Sequence, residues 1–141
     1  MQKIKAYKMK ETIVNLQIFG GLILAIISLV SFLVTAEPTF LAPLVISASF
    51  LVMGLINKSR ENIKIYEDHL EMKFAPASPL HLIRYEDLIR LEDKGKNQKR
   101  LYFLSEGKEK KILIPLSQHP KEDMDEFVNF LEEKIQSKKS N

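Results

Sequence analysis

Hydrophobic positions along this chain fall into three rhythms. From Ile13 to Ala36 apolar residues run nearly unbroken, interrupted by Asn15, Gln17, two Gly, two Ser and Thr35, and from Thr39 to Ile56 only Pro43, two Ser and Gly54 intervene. Past Arg60 the period becomes two: Ile63 and Ile65 alternate with Lys64 and Tyr66, and Leu70, Met72 and Phe74 with Glu71 and Lys73. After Pro120 it becomes helical, with Met124, Phe127, Val128, Leu131 and Ile135 on one stripe. Continuous, alternating and 3.6-residue patterns predict buried or membrane helices, half-buried strands and an amphipathic helix respectively.

Each apolar run is about 18 residues or longer, and at about 1.5 Å per residue spans roughly the 30 Å hydrocarbon core. A soluble helix of that length carries a polar stripe, and neither run does. The runs therefore predict two membrane spans, about 13–36 and 39–57, joined by a tight turn at 37–38. Pro38 disfavours helix at Glu37, and Glu37 is a polar residue placed where headgroups begin. Pro43 falls in the first turn of the second span, where a missing N–H is tolerated. A cleaved signal peptide is the competing reading, from the basic start and the small residues of "VTA" before Glu37. The first run exceeds an ordinary signal core, however, and a second span follows at once. Gly21 with Ala25, and Ser47 with Gly54, offer small positions for close helix contact.

Downstream, "NIKIYEDHLEMKF" (62–74) predicts a β-hairpin turning at Asp68, and "HLIRY" (81–85), "LIRLE" (88–92), "RLYFL" (100–104) and "KILIP" (111–115) predict four more strands separated by turn-forming sequences. About six strands at this spacing suit a sandwich or barrel. Acidic residues in the first turns of the last segment and Lys134, Lys138 and Lys139 at its end match a helix dipole. The helix would cap the open end of the β domain, with Phe127 central to the buried stripe and Phe130 off it.

Charge refines this division. Between Thr12 and Asn57 the only ionisable side chain is Glu37. Residues 61–141 carry 15 Lys plus Arg against 16 Asp plus Glu, whereas the first sixty residues carry 6 basic and 2 acidic, so the overall +3 flanks the apolar block. That distribution excludes nucleic acid as the expected partner, because a phosphate-binding domain carries the positive field itself. Lys3, Lys5, Lys8 and Lys10 before the first span, Lys58 and Arg60 after the second, and no base in the tip predict that both termini are cytoplasmic.

The order of strands, "YEDLIRLE" (85–92) with its aromatic–acidic–Asp–Leu/Ile pattern, "KILIPLS" as the last strand and a C-terminal helix, resembles the bacterial pleckstrin-homology-like domain over residues 62–138. Set behind a two-span hairpin, it is similar to small bacterial membrane proteins of that arrangement. The resemblance implies a membrane anchor over residues 1–60 and a cytoplasmic pleckstrin-homology-like open barrel or sandwich over 61–141. The expected role is non-catalytic scaffolding at an inner membrane, toward a protein partner or a second copy; a membrane enzyme is the least favoured alternative, because no acid and base groups stand in a recognisable arrangement. Its first hairpin loop is the acidic "YEDH", where a phosphoinositide site carries Lys and Arg.

Candidate chemistry is sparse. No cysteine exists, and His69, His81 and His119 have no second ligand at metal spacing, so no cofactor or metal is expected. "SEGK" (105–108) has Ser-x-x-Lys spacing but sits in a strand connection instead of a helix turn. "PASP" (76–79) fits P-x-x-P, and "NKS" at Asn57 is a glycosylation triplet expected to be inert beside the membrane. The remaining candidate contacts are cations for anionic headgroups: Lys94, Lys96, Lys99 and Arg100 in "DKGKNQKR", aided by Lys58 and Arg60.

Overall fold

The first strand of the protein lies where the sequence reading placed only a basic flank. In the computed structural model, which describes residues 2–140, β1 (Lys3–Lys8) precedes two helices, α1 (Glu11–Thr35) and α2 (Leu41–Ser59), and pairs antiparallel with β2 (Glu61–Tyr66) beyond them. There follow β3 (His69–Met72), β4 (His81–Arg84), β5 (Leu88–Asp93), β6 (Gln98–Ser105), β7 (Lys108–Pro115) and α3 (Lys121–Lys139). Residues 1–8 therefore group with 61–141 as one compact unit and 9–60 form the other, a different division from the 1–60 and 61–141 of the sequence reading.

In the helical unit, α1 ends as Ala36 turns into the left-handed region at φ 55°, its N–H bonded to the Phe32 carbonyl. A 3₁₀ turn, Pro38–Phe40, then leads directly into α2. The helices touch along a sparse seam of small residues: Val14, Gly21 and Ser28, each seven apart, are the buried positions of α1, and Ser47, Gly54 and Asn57 those of α2. A seven-residue repeat keeps one face against the partner over several turns. A Cβ on Gly21 would lie 2.8 Å from the Leu51 nitrogen and 2.9 Å from the Ser47 oxygen, so here the two backbones themselves are in contact. Elsewhere the apolar side chains point outward: Leu16, Phe19, Leu33, Val34, Val45 and Ile46 are all more than half exposed. Both helices are long and apolar enough to cross a membrane.

The other unit is built from two antiparallel sheets, β1-β2-β3-β4 and β5-β6-β7. They do not close into a barrel, and the strands number seven instead of six. Alternation drives both sheets. Ile63, Ile65, Leu70, Met72 and Ile83 of the first face Leu88, Leu101, Phe103, Ile112 and Ile114 of the second, and Tyr7 joins them from β1. α3 covers this core with Met124, Phe127, Leu131 and Ile135, four of the five residues of the expected stripe; Val128 is only half-buried, and Phe130 packs against the core instead. The β6–β7 hairpin turns on Glu106 and Gly107, both with positive φ (56° and 74°), which matches the right-handed strand twist.

Candidate functional site

The cations expected to meet headgroups are divided between the two units. Lys94 and Lys96 project from the β5–β6 turn, shaped by Gly95 at φ 108° and closed by a bond from the Lys94 N–H to the Gln98 carbonyl. Both are exposed, and neither makes an ion pair among the described residues. Lys99 instead points toward acids, 2.8 Å from Asp93 and 3.9 Å from Glu132, with its side chain only 19% exposed. Arg100 donates to the Tyr102 hydroxyl at 3.3 Å. Lys58 is exposed in the last turn of α2 and Arg60 caps that helix; both belong to the helical unit, whereas residues 94–100 belong to the other.

The outer face of β5-β6-β7 is more organised than its composition indicates. Arg90 sits 3.8 Å over the Tyr102 ring and bonds Glu109 through both terminal nitrogens, at 3.2 and 3.1 Å, and Glu92 through Nε at 2.7 Å. These bonds raise the guanidinium's affinity for its proton, Glu109 first and Glu92 second, while Arg90 holds the Glu92 carboxyl below its ordinary range. Each of the three nitrogens of this arginine's fork bonds a carboxylate of the same sheet, so the cluster ties the sheet together. The pairing is invisible locally because Glu109 lies on the third strand of the sheet.

The first hairpin is fixed by Tyr85. Its hydroxyl lies 2.5 Å from the Tyr66 carbonyl and 2.9 Å from that of His69, and burial, with a smaller effect of the Asp68 charge, pushes its pKa up to about 12. His69 stacks on Tyr66 and bonds Asp68 at 2.6 Å, which lowers the Asp68 carboxyl. A surface depression of about 320 Å³ lies beside Tyr85, lined also by Glu86, Lys134, Ser137 and Lys138. Its cations are engaged already: Lys138 donates to the Leu88 carbonyl at 3.2 Å, and Lys134 sits 5.1 Å over the Tyr85 ring.

His119 is fully buried, between the Pro115 carbonyl at 3.2 Å from Nδ1 and the Asn62 amide at 3.2 Å from Nε2. Since a carbonyl only accepts, Nδ1 carries the proton toward Pro115 and Nε2 accepts from Asn62 in the neutral ring. Among the described residues no three His, Asp or Glu side chains converge in a metal-like group.

The remaining motifs resolve into local structure. "PASP" folds into a closed turn in which Ser78 bonds Ala75 through both N–H and Oγ, so it is no extended proline helix. Ser105 and Lys108 are opposed across the β6–β7 turn, and the lysine that reaches the Ser105 hydroxyl, at 3.0 Å, is Lys110. The Asn57 amide of the glycosylation triplet is buried and donates to Gln17 Oε1 at 3.1 Å, binding α2 to α1. No protein-family model matches the chain, and neither does any curated protein or solved structure.

Proposed function

We propose that the protein is a non-catalytic membrane-anchored interaction module: α1 and α2 form a bilayer hairpin, and the two-sheet domain, a pleckstrin-homology-like sandwich, presents a binding surface to a protein partner or a second copy at the cytoplasmic face of an inner membrane. The observation that carries this reading is the β1–β2 ladder, in which Tyr7 opposes Ile63 and Lys8 opposes Glu61 across the 52 residues of the helical unit. Strands that pair must lie on one side of a bilayer, so a hairpin that leaves and returns is the membrane topology that suits the ladder. Cleavage before Glu37 would strip β1 from its own sheet. The cations at Lys3, Lys5, Lys8, Lys10, Lys58 and Arg60 favour the cytoplasm for that side. A run of strands closed by one C-terminal helix is also the element order that the resemblance to pleckstrin-homology-like domains implies.

The test is recovery of the full chain from native membrane in mild detergent, beside a Phe127→Ala chain whose sandwich core is broken. A stoichiometric protein partner, or a second tagged copy, that is held by the parent and lost from the variant supports the proposal. Recovery of lipid alone from both would sink it.

A second reading rests on the exposed, unpaired Lys94 and Lys96: the β5–β6 turn touches anionic headgroups, each cation contributing roughly 1 kcal/mol near the surface. Residues 2–8 joined to 61–141 by an Asn-Gly turn should then float with anionic vesicles and not with neutral ones, with binding fading as salt rises. Lys94→Glu with Lys96→Glu should abolish flotation. Equal flotation by parent and double variant would exclude this site.

A further inference from the structure

We infer that β1 is a releasable strand coupled through the chain to the packing of α1 against α2, so that parting the helices undocks β1 while the rest of the sandwich stays folded. The connections are short: two residues, Met9 and Lys10, separate β1 from α1, and one, Arg60, separates α2 from β2. Two residues reach at most about 7 Å, and Lys10 and Arg60 already stand in extended backbone, ψ 133° at each, so little slack remains. A shift of α1 along α2 beyond that slack must be absorbed by the strand attached to one of them.

The strands at the two ends are unequally held. β2 is interior, paired with β1 on one side and β3 on the other, with Ile63 and Ile65 in the core. β1 is an edge, and its ladder is irregular at two points, between Lys3 and Lys5 and between Tyr7 and Lys8. Only Tyr7 of β1 is buried; the other side-chain ties are the ion pairs Lys3–Glu61 and Lys5–Glu126, whose exposed geometry adds little. Strain arriving from the helices therefore falls on β1. Release would open the slot filled by Tyr7 and bare the edge of β2, a ready acceptor for an extended segment.

The coupling is a property of how the strands and helices are threaded, and it holds whichever partner the sandwich takes. It is tested by amide hydrogen exchange on the full chain in lipid nanodiscs. Gly21→Leu places a side chain against the α2 backbone at Ser47 and Leu51, whereas a Cβ at Gly20 meets nothing within 4 Å, so Gly20→Leu is the control. Exchange over residues 4–8 should rise about tenfold or more in Gly21→Leu, while β6 and β7 keep the parent's protection and Gly20→Leu matches the parent throughout. Gly21→Ala, a milder wedge that keeps the chain folded if the leucine does not, should give a smaller rise in the same residues. The inference is overturned if β1 keeps the parent's protection in both Gly21 variants, or if all seven strands lose protection together.

Discussion

The Tyr7 ring, from the strand before the helices, lies 5.6 Å from the Phe127 ring of the C-terminal helix, tilted by 56°, and both are buried. The first and last elements of the chain thus meet in one core. Phe127→Ala removes the centre of that contact and should cost about 3–5 kcal/mol, much of a small domain's stability. Phe130 is only partly buried, against Tyr85, so Phe130→Ala should cost clearly less. Thermal unfolding of the full chain in nanodiscs, followed by near-ultraviolet dichroism, ranks the two. The reverse ranking would mean that α3 presents its other face.

Residues 61–141 alone lack β1 and leave the Tyr7 slot open. Joining residues 2–8 to 61–141 through Asn-Gly, which suits a two-residue hairpin turn, should raise the melting temperature by several degrees and narrow the transition. Equal melting of the two chains would show that β1 contributes nothing to the sandwich.

The Glu61 carboxyl is held below its ordinary range, chiefly by the hydrogen bond from Lys3. A depressed carboxylate adds stability above its unfolded pKa and loses it as pH falls through the folded value, so β1 should loosen below about pH 4.3. Lys3 is 43% exposed and Glu61 25%, which limits the contribution to about 0.2–1 kcal/mol. Exchange rates over residues 4–8 at pH 6 and pH 4, corrected for intrinsic rates, should differ in the parent and converge in Lys3→Met. A pH effect that survives Lys3→Met would point to another group.

His119 should show a neutral ring protonated at Nδ1, visible in nitrogen chemical shifts of the labelled imidazole. Asn62→Ala deprives its buried Nε2 of the Asn62 donor and should cost about 1–3 kcal/mol. Asn62→Ala melting with the parent, or a ring protonated at Nε2, would contradict the arrangement.

Sequence alone resolves much of this architecture. The helices begin and end within two residues of the expected spans at all four boundaries, and each of the six expected strands has a counterpart among β2 to β7. The seventh was hidden for a physical reason. In "KIKAYK" only Tyr7 is buried, and lysines, which protect an edge strand from stray pairing, read locally as membrane flanks. Its partner lies beyond the helical hairpin, where no local pattern can point to it. Two open sheets in place of a barrel depend on which strands pair, and spacing is silent on that. For the candidate cations, counting charges found the 94–100 cluster but missed that Lys99 faces Glu132 of a distant helix, leaving Lys94 and Lys96 as the exposed pair.

The separation of β1 from β2 also orders events during synthesis. β1 leaves the ribosome first, and at roughly 5–20 residues per second several seconds pass before β2 follows. In that interval β1 has no sheet to join, and Tyr7 has no Phe127 to meet until α3 is made. On the bilayer-hairpin reading proposed above, only a chain whose helices have gone in and come back can bring the two strands together. On that reading a completed sandwich is a record of correct insertion, and a chain that fails to insert carries an unpaired β2 edge.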